Sequence, residues 1–163
     1  MKAAQERAEA ALDREHAAID QLTGARVRGV GMGDLQREID RAHRTGGSLV
    51  LAFVDVDHLK EVNDGEGHLA GDRLLGDVGA ALRGVMRSYD LITRFGGDEF
   101  LCAISGVHTD DVRLRFDDLA EQLGADWSGH SVTVGFAQLQ ADDDLEQLIT
   151  RADDALLQIR GAK

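Results

Sequence analysis

Proline is absent from this 163-residue chain, and cysteine occurs once, at Cys102. Without proline, nearly all the turns fall to glycine, which occurs 19 times. A lone cysteine excludes an internal disulfide, which suits a reducing cytoplasm. No long apolar run is present, which excludes a membrane-spanning helix. The N-terminus is rich in Ala, Glu and Arg and has no apolar signal core, so no secretion signal is read. Positive charge is also scarce: 18 Lys and Arg stand against 30 Asp and Glu, a formal net charge of -12. No Lys/Arg cluster offsets it, which argues against nucleic acid and anionic lipid as partners. A nucleoside triphosphate remains admissible if divalent metal stands between its phosphates and the protein's carboxylates.

The length fits one domain, which buries roughly 70% of its unfolded surface by the usual scaling. Hydrophobic residues make up 43% and charged residues 29%, both ordinary for a globular protein. There are no internal repeats and no low-complexity tracts. Residues 2–20 read as a helix with a thin, mostly alanine stripe, suited to connection or self-pairing, or simply to a solvated extension. Asp34 to Arg44 reads as a second helix, stopped by Gly46-Gly47. Ser48 to Val54 is a near-continuous apolar run, the pattern of a central strand buried on both faces. A helical face follows through Leu74, Leu75, Val78, Leu82 and Met86. Leu91–Phe95 and Phe100–Ile104 read as short strands around a Gly96-Gly97 turn. A capped helix from Thr109, a strand over 132–137 and a last amphipathic helix from Leu145 to Ile159 complete the chain. From Leu49 the order is β-α-β-β-α-β plus a helix. The expected fold is α+β, a ferredoxin-like or palm βαββαβ sheet covered by helices, with an N-terminal helical extension.

The first strand ends in Asp55-Val56-Asp57. Alternation puts both aspartates on one face. Carboxylates at the end of a buried strand need compensation, which a hard divalent cation would supply. Metal is the preferred reading for Asp55; for Asp57, capping of the following turn is an equal alternative. The hairpin offers Asp98 and Glu99 right after two glycines that permit close backbone approach. In this topology Asp55 and Asp98 can share a site, and oxygen-only ligands favour Mg²⁺ or Mn²⁺ over zinc.

Arg94-Phe95-Gly96-Gly97-Asp98-Glu99-Phe100 resembles the signature of GGDEF-domain diguanylate cyclases. The resemblance extends over nearly the whole chain from Asp20. Asp20-Gln21-Leu22-Thr23-Gly24 and Arg28 look like the family's opening segment. Asp55 to Lys60, Val62-Asn63-Asp64, Gly67-His68 and Gly71-Asp72 match its nucleotide-binding segment in order and spacing. Ala152-Asp153-Asp154-Ala155-Leu156 looks like the start of its C-terminal motif. The resemblance implies an N-terminal linker or signalling helix over 1–20 and a catalytic domain over 21–163. It also implies an upstream sensor domain outside this chain.

By that resemblance, Asp55, Asp98 and the Val56 carbonyl hold two Mg²⁺ (or Mn²⁺) ions per active site. His58 and Leu59 offer backbone amides to phosphates, Lys60 neutralises phosphoryl charge, and Gly97 approaches the substrate. Asn63 and Asp72 read the guanine edge, with His68 beside them in either a binding or a loop role. Adenine would leave Asp72 without donors, a difference on the order of 1–3 kcal/mol. The reaction implied is attack of a ribose 3′-hydroxyl on the α-phosphorus of a second GTP, giving cyclic di-GMP, with Asp98 or Glu99 assisting deprotonation. Two domains, each with one GTP, must meet as a homodimer. Arg87 and Asp90, with five residues between Asp90 and Gly96, fall at the family's product-inhibition site for cyclic di-GMP; the alternative there is a surface salt bridge.

The chain departs from the pattern at four places. Leu59 stands for Phe, Ala25-Arg26-Val27 replaces the usual loop, Leu157 stands for Tyr, and Arg160 stands for a phosphate-binding Lys. The chain also ends before the family's Gly-Arg-Asn segment. The main rival to an active cyclase is therefore a catalytically weak domain that senses GTP or cyclic di-GMP. A third reading is a cyclase with an adenine-containing product.

Overall fold

A computed structural model describes residues 1–126 and 130–162 of the chain. The elements run α1 (Lys2–Ala17), α2 (Arg28–Thr45), β1 (Leu49–Val56), α3 (Leu59–Glu66), α4 (His68–Val85) and β2 (Leu91–Arg94). They continue with β3 (Glu99–Ser105), α5 (Thr109–Asp126), β4 (Val132–Gln138) and α6 (Leu145–Gly161). The strands lie in the order β2-β3-β1-β4, and all neighbours are antiparallel. This is the expected α+β architecture, with β3 inserted between the parallel pair β1 and β2.

All eight residues of β1 are buried, as its unbroken apolar run predicts. Their alternation divides the core in two. Val50, Ala52, Val54 and Val56 pack with Leu74, Val78 and Leu82 of α4 and Val112, Phe116 and Leu119 of α5. Leu49, Leu51 and Phe53 pack with Leu35 and Ile39 of α2 and Leu148, Ala152 and Leu156 of α6. Asp55 continues the second face, so it emerges beneath α6.

Three helices differ from the sequence expectation: α1 ends at Ala17, before the expected residue 20, because Ile19 turns off to bridge Arg26. α2 starts at Arg28, six residues before the expected Asp34. Its first turns carry Gly29, Gly31 and Gly33, which hide the helix from a propensity reading. Gly31 is pressed against β2, where an added Cβ would lie 2.1 Å from the Thr93 hydroxyl. Packing, not propensity, selects the helix here. The segment after β1 also forms its own short helix, α3, separated from α4 by Gly67 at φ 89°. Eight residues hold too few apolar positions to display a helical period. α1 buries none of its residues. No helix among the described residues is long and apolar enough to cross a membrane.

Candidate active site

The end of β1 and the start of β3 lie side by side. Asp55 is paired in register with Glu99, and the Val56 N–H donates to the Asp98 carbonyl at 2.9 Å. The topology therefore brings together Asp55, Val56, Asp98 and Glu99, all expected at one site. The register partner of Asp55 is Glu99, because Asp98 still belongs to the turn.

Arg160, in the last turn of α6, reaches into this corner. It donates to both oxygens of Asp55, at 2.8 and 3.2 Å, and to Asp57 at 3.2 Å. Asp57 also accepts from the Ser131 and Thr133 hydroxyls, each at 2.6 Å. It thus ties β1 to β4 across the sheet instead of capping the turn. Burial opposes ionisation of Asp57, but the two hydroxyls and Arg160 outweigh it and hold its carboxyl below the ordinary value. Asp55 goes the other way. Burial raises its carboxyl, Arg160 opposes this, and Asp98 and Asp57 add repulsion. Glu99 is likewise raised, by burial first, then by Asp55, Asp98 and Asp153, with Arg28 opposing.

The corner therefore carries more negative charge than its own cations balance. Its donors are all oxygens, which fits a hard divalent cation. Among the described residues no group of three or more acidic, His or Cys side chains is gathered closely enough to hold a metal alone. The fit is to a cation that brings other oxygen ligands with it.

α6 gets its height above the sheet from Gly135 on β4. A Cβ there would lie 2.2 Å from the Ala152 carbonyl oxygen and 2.3 Å from the Leu156 nitrogen. The Arg160 head is delivered from that close seat.

The hairpin is held from outside. Phe95 and Gly96 donate to the Glu99 carbonyl at 2.8 and 3.2 Å. Arg94 donates to the Gly97 carbonyl at 2.9 Å and to both Asp20 oxygens at 3.2 Å. Thr23 donates to Asp20 through its amide and its hydroxyl. Arg28 lies over the Phe95 ring at 4.1 Å. Gly96 and Gly97 are not among the positive-φ glycines. At Gly96 an added Cβ would lie 2.3 Å from the Glu99 carboxylate, whereas at Gly97 it meets nothing.

The proposed nucleotide readers are on α3 and α4. His58 sits at φ 60°, a conformation costly for a side chain other than glycine, where β1 turns into α3. His58, Lys60, His68 and Asp72 are exposed, while Leu59 is half-buried. Asn63 lies across Gly71, where a Cβ would stand 1.8 Å from its amide oxygen. That contact packs Asn63 against the residue before Asp72. Further along α4, Gly79 admits the Thr23 carbonyl, and Arg83 donates to the same oxygen.

Arg87 and Asp90 form a separate turn. The Arg87 amide donates to Asp90 at 2.8 Å, and the Arg87 side chain donates to the Tyr89 hydroxyl at 2.8 Å. The Asp90 side chain is wholly covered, with Arg115 4.0 Å away. One Asp90 oxygen and one Arg115 nitrogen have no partner among the described residues. Burial raises the Asp90 carboxyl, with Arg87 and Arg115 opposing. The turn borders a cavity of about 750 Å³, which also touches Glu15 and Ile19 near the end of α1 and Arg26 and Arg83.

Sequence reading missed Ser131, Thr133, Gly135, Asp153 and Arg115 as partners. Thr133 and Gly135 share the inward period of β4 with Ala137, a signal that was available. Arg115 has none, because an exposed-looking Arg on an amphipathic helix is ordinary.

An antiparallel palm sheet with carboxylates at the β1 end and a Gly-Gly-Asp-Glu hairpin beside them defines a palm-like α+β class. A family model described as diguanylate cyclase, GGDEF domain, matches residues 17–163, and the chain belongs to this family. It is similar to diguanylate cyclase DgcP of Pseudomonas aeruginosa, 34% identical over 156 residues, covering 91% of this chain and 23% of DgcP. It is also similar to diguanylate cyclase DgcS of Shewanella oneidensis, 33% identical over 149 residues, covering 90% of this chain and 50% of DgcS. The chain thus spans half or less of these relatives. Among solved structures it resembles the GGDEF domain of DgcB from Caulobacter crescentus in complex with c-di-GMP. That match has a TM-score of 0.85 and 25% identity, and covers 90% of this chain and 91% of the other.

Proposed function

We propose that this chain is the catalytic domain of a diguanylate cyclase, joining two GTP into cyclic di-GMP with release of two pyrophosphates. The observation that carries the reading is the Asp55–Glu99 register, which sets the β1 carboxylates against the hairpin in one corner.

Asp55, the Val56 carbonyl and Asp98 would hold two Mg²⁺ (or Mn²⁺) ions, which activate the nucleophile and stabilise the leaving oxygens. Asp98 or Glu99 would take the 3′-hydroxyl proton. Asn63 and Asp72 bind the guanine edge, with His68 at the rim. Gly97 leaves room for substrate against the hairpin. The backbone at His58 and Leu59 meets the phosphates at the N-terminus of α3, and Lys60 and Arg160 add positive charge there.

Residues 1–20 would serve as a linker or signalling helix and 21–163 as the catalytic domain, acting in the cytoplasm as a homodimer. An upstream sensor would supply the input. Cyclic di-GMP would bind at Arg87 and Asp90 and inhibit, a reading supported by the exposed Arg87 guanidinium beside the cavity of about 750 Å³. The test is incubation with Mg²⁺ and GTP, then with ATP, and identification of products by mass. Cyclic di-GMP from GTP alone is expected; a product from ATP would refute the guanine assignment.

A second reading, a GTP or cyclic di-GMP sensor of weak activity, draws on the ion pair that Arg160 makes with Asp55. No cyclic dinucleotide at high protein concentration, with GTP still bound, would favour it.

A further inference from the structure

We propose that Arg160 keeps Asp55 occupied until nucleotide arrives, so that the cation enters the corner together with the triphosphate and not before it. This rests on the reading of Asp55 as a cation ligand. Arg160 covers the carboxylate with a fork, one nitrogen to each oxygen, and its third contact is to Asp57. The Asp55 side chain is left 12% exposed, whereas that of Arg160 is 39% exposed. The carboxylate is thus closed to a free ion, while the guanidinium that closes it borders solvent.

The two partners differ in their freedom to move. Asp55 is fixed on a strand whose neighbours on both sides are paired to it. Arg160 is a long side chain one residue before the end of α6, and its helix is seated further back, at Ala152 and Leu156 against Gly135. Opening the pair therefore needs a rotation of Arg160 alone. A triphosphate offers the released fork the planar, bidentate oxygen pairs that it matches. Phosphate oxygens also complete the coordination of a cation for which the corner alone gathers too few ligands. A Lys at this position would place one point charge on Asp55 without capping both oxygens. Arg160 is thus a positioning residue that sets the order of binding.

The test is Mn²⁺ binding to the nucleotide-free chain, read from the free-Mn²⁺ electron paramagnetic resonance signal. Arg160→Gln is expected to bind Mn²⁺ at least about tenfold more tightly than the parent, with Arg160→Lys between them. Asp55→Asn in the Arg160→Gln background should remove the gain. Equal affinity in the parent and Arg160→Gln overturns the proposal, as does a gain that survives Asp55→Asn. Circular dichroism melts of each variant establish that it is folded, and Arg160→Lys retains the helix end if Arg160→Gln does not. Product formation from Mg²⁺ and GTP is measured alongside. A parent that makes cyclic di-GMP yet shows no Mn²⁺ difference refutes only the Arg160 role. A parent that makes none while the Mn²⁺ difference holds refutes the cyclase reading and leaves Arg160 as assigned.

Discussion

Two aspartates with arginine neighbours stand at opposite ends of the β2–β3 hairpin region, and they lack different things. Asp55 has its hydrogen bonds: Arg160 serves both of its oxygens. Burial first, and then repulsion from Asp98 and Asp57, keep its carboxyl raised despite the ion pair, so the corner is short of positive charge. Asp90 lacks donors instead. It takes one backbone amide, Arg115 stays 4.0 Å off, and one oxygen has no partner among the described residues. A shortage of charge calls for a cation. A shortage of donors on a covered oxygen calls for an N–H group from within the fold, and Arg115, at 4.0 Å from the carboxylate, carries one that is unpartnered among the described residues. Under the proposed function, the two ends of one hairpin take different ligands.

The largest expected effect breaks the corner. Asp55→Asn should lower cyclic di-GMP formation by on the order of 10²–10³-fold, while cyclic di-GMP binding at the Arg87 turn persists. Product mass and calorimetric binding of cyclic di-GMP check the two halves separately. The converse change is Arg87→Ala. It should weaken inhibition by added cyclic di-GMP by roughly 10–100-fold, the worth of one charged hydrogen-bonding group, and leave uninhibited turnover intact. Inhibition as strong as in the parent would remove Arg87 from that site.

Gly135→Ala sharpens the comparison without touching either aspartate. Its Cβ meets backbone atoms that cannot yield, so α6 must shift, at a cost of about 1–3 kcal/mol in urea unfolding. Arg160 should then lose its seat on Asp55, raising the KM for GTP while the Arg87 turn still binds cyclic di-GMP.

The smallest effect lies at Asp20, which anchors the hairpin from outside. Burial opposes its ionisation, but Thr23 and Arg94 outweigh this and hold its carboxyl below the ordinary value of 3.8. The stability it contributes is therefore present above that value and is lost as pH falls through the lowered one. Asp20→Asn should be less stable by about 1 kcal/mol at pH 7, and the gap should shrink as pH falls below 3.8. A gap that is constant with pH would contradict the ionic role.

Much of this was legible in the chain. β1 announces itself because every position is apolar until Asp55, and a strand buried on both faces has no other pattern. The hairpin and the α4 and α6 faces follow from period and turn residues. The start of α2 was hidden, because three glycines near its start argue against the helix that packing on Thr93 enforces. α3 was hidden by its shortness. The sequence leaves Asp57 open between metal and cap, and the structure gives it the hydroxyls of Ser131, just before β4, and Thr133 on β4, 74 and 76 residues away.

The sequence by itself determined which groups the protein has to work with and on which face each lies. Strand alternation puts Asp55 and Asp57 together, and the excess of acid over base leaves the carboxylates short of cations. What only the tertiary structure decided is who answers whom. Arg160 lies more than a hundred residues from Asp55 and reaches it because Gly135 lets α6 sit close. Asp90 turns inward because its turn closes on the Arg87 amide. Local pattern is fixed by the spacing of neighbours along the chain. Pairing across the fold depends on how closely two elements can approach, and that is a matter of packing.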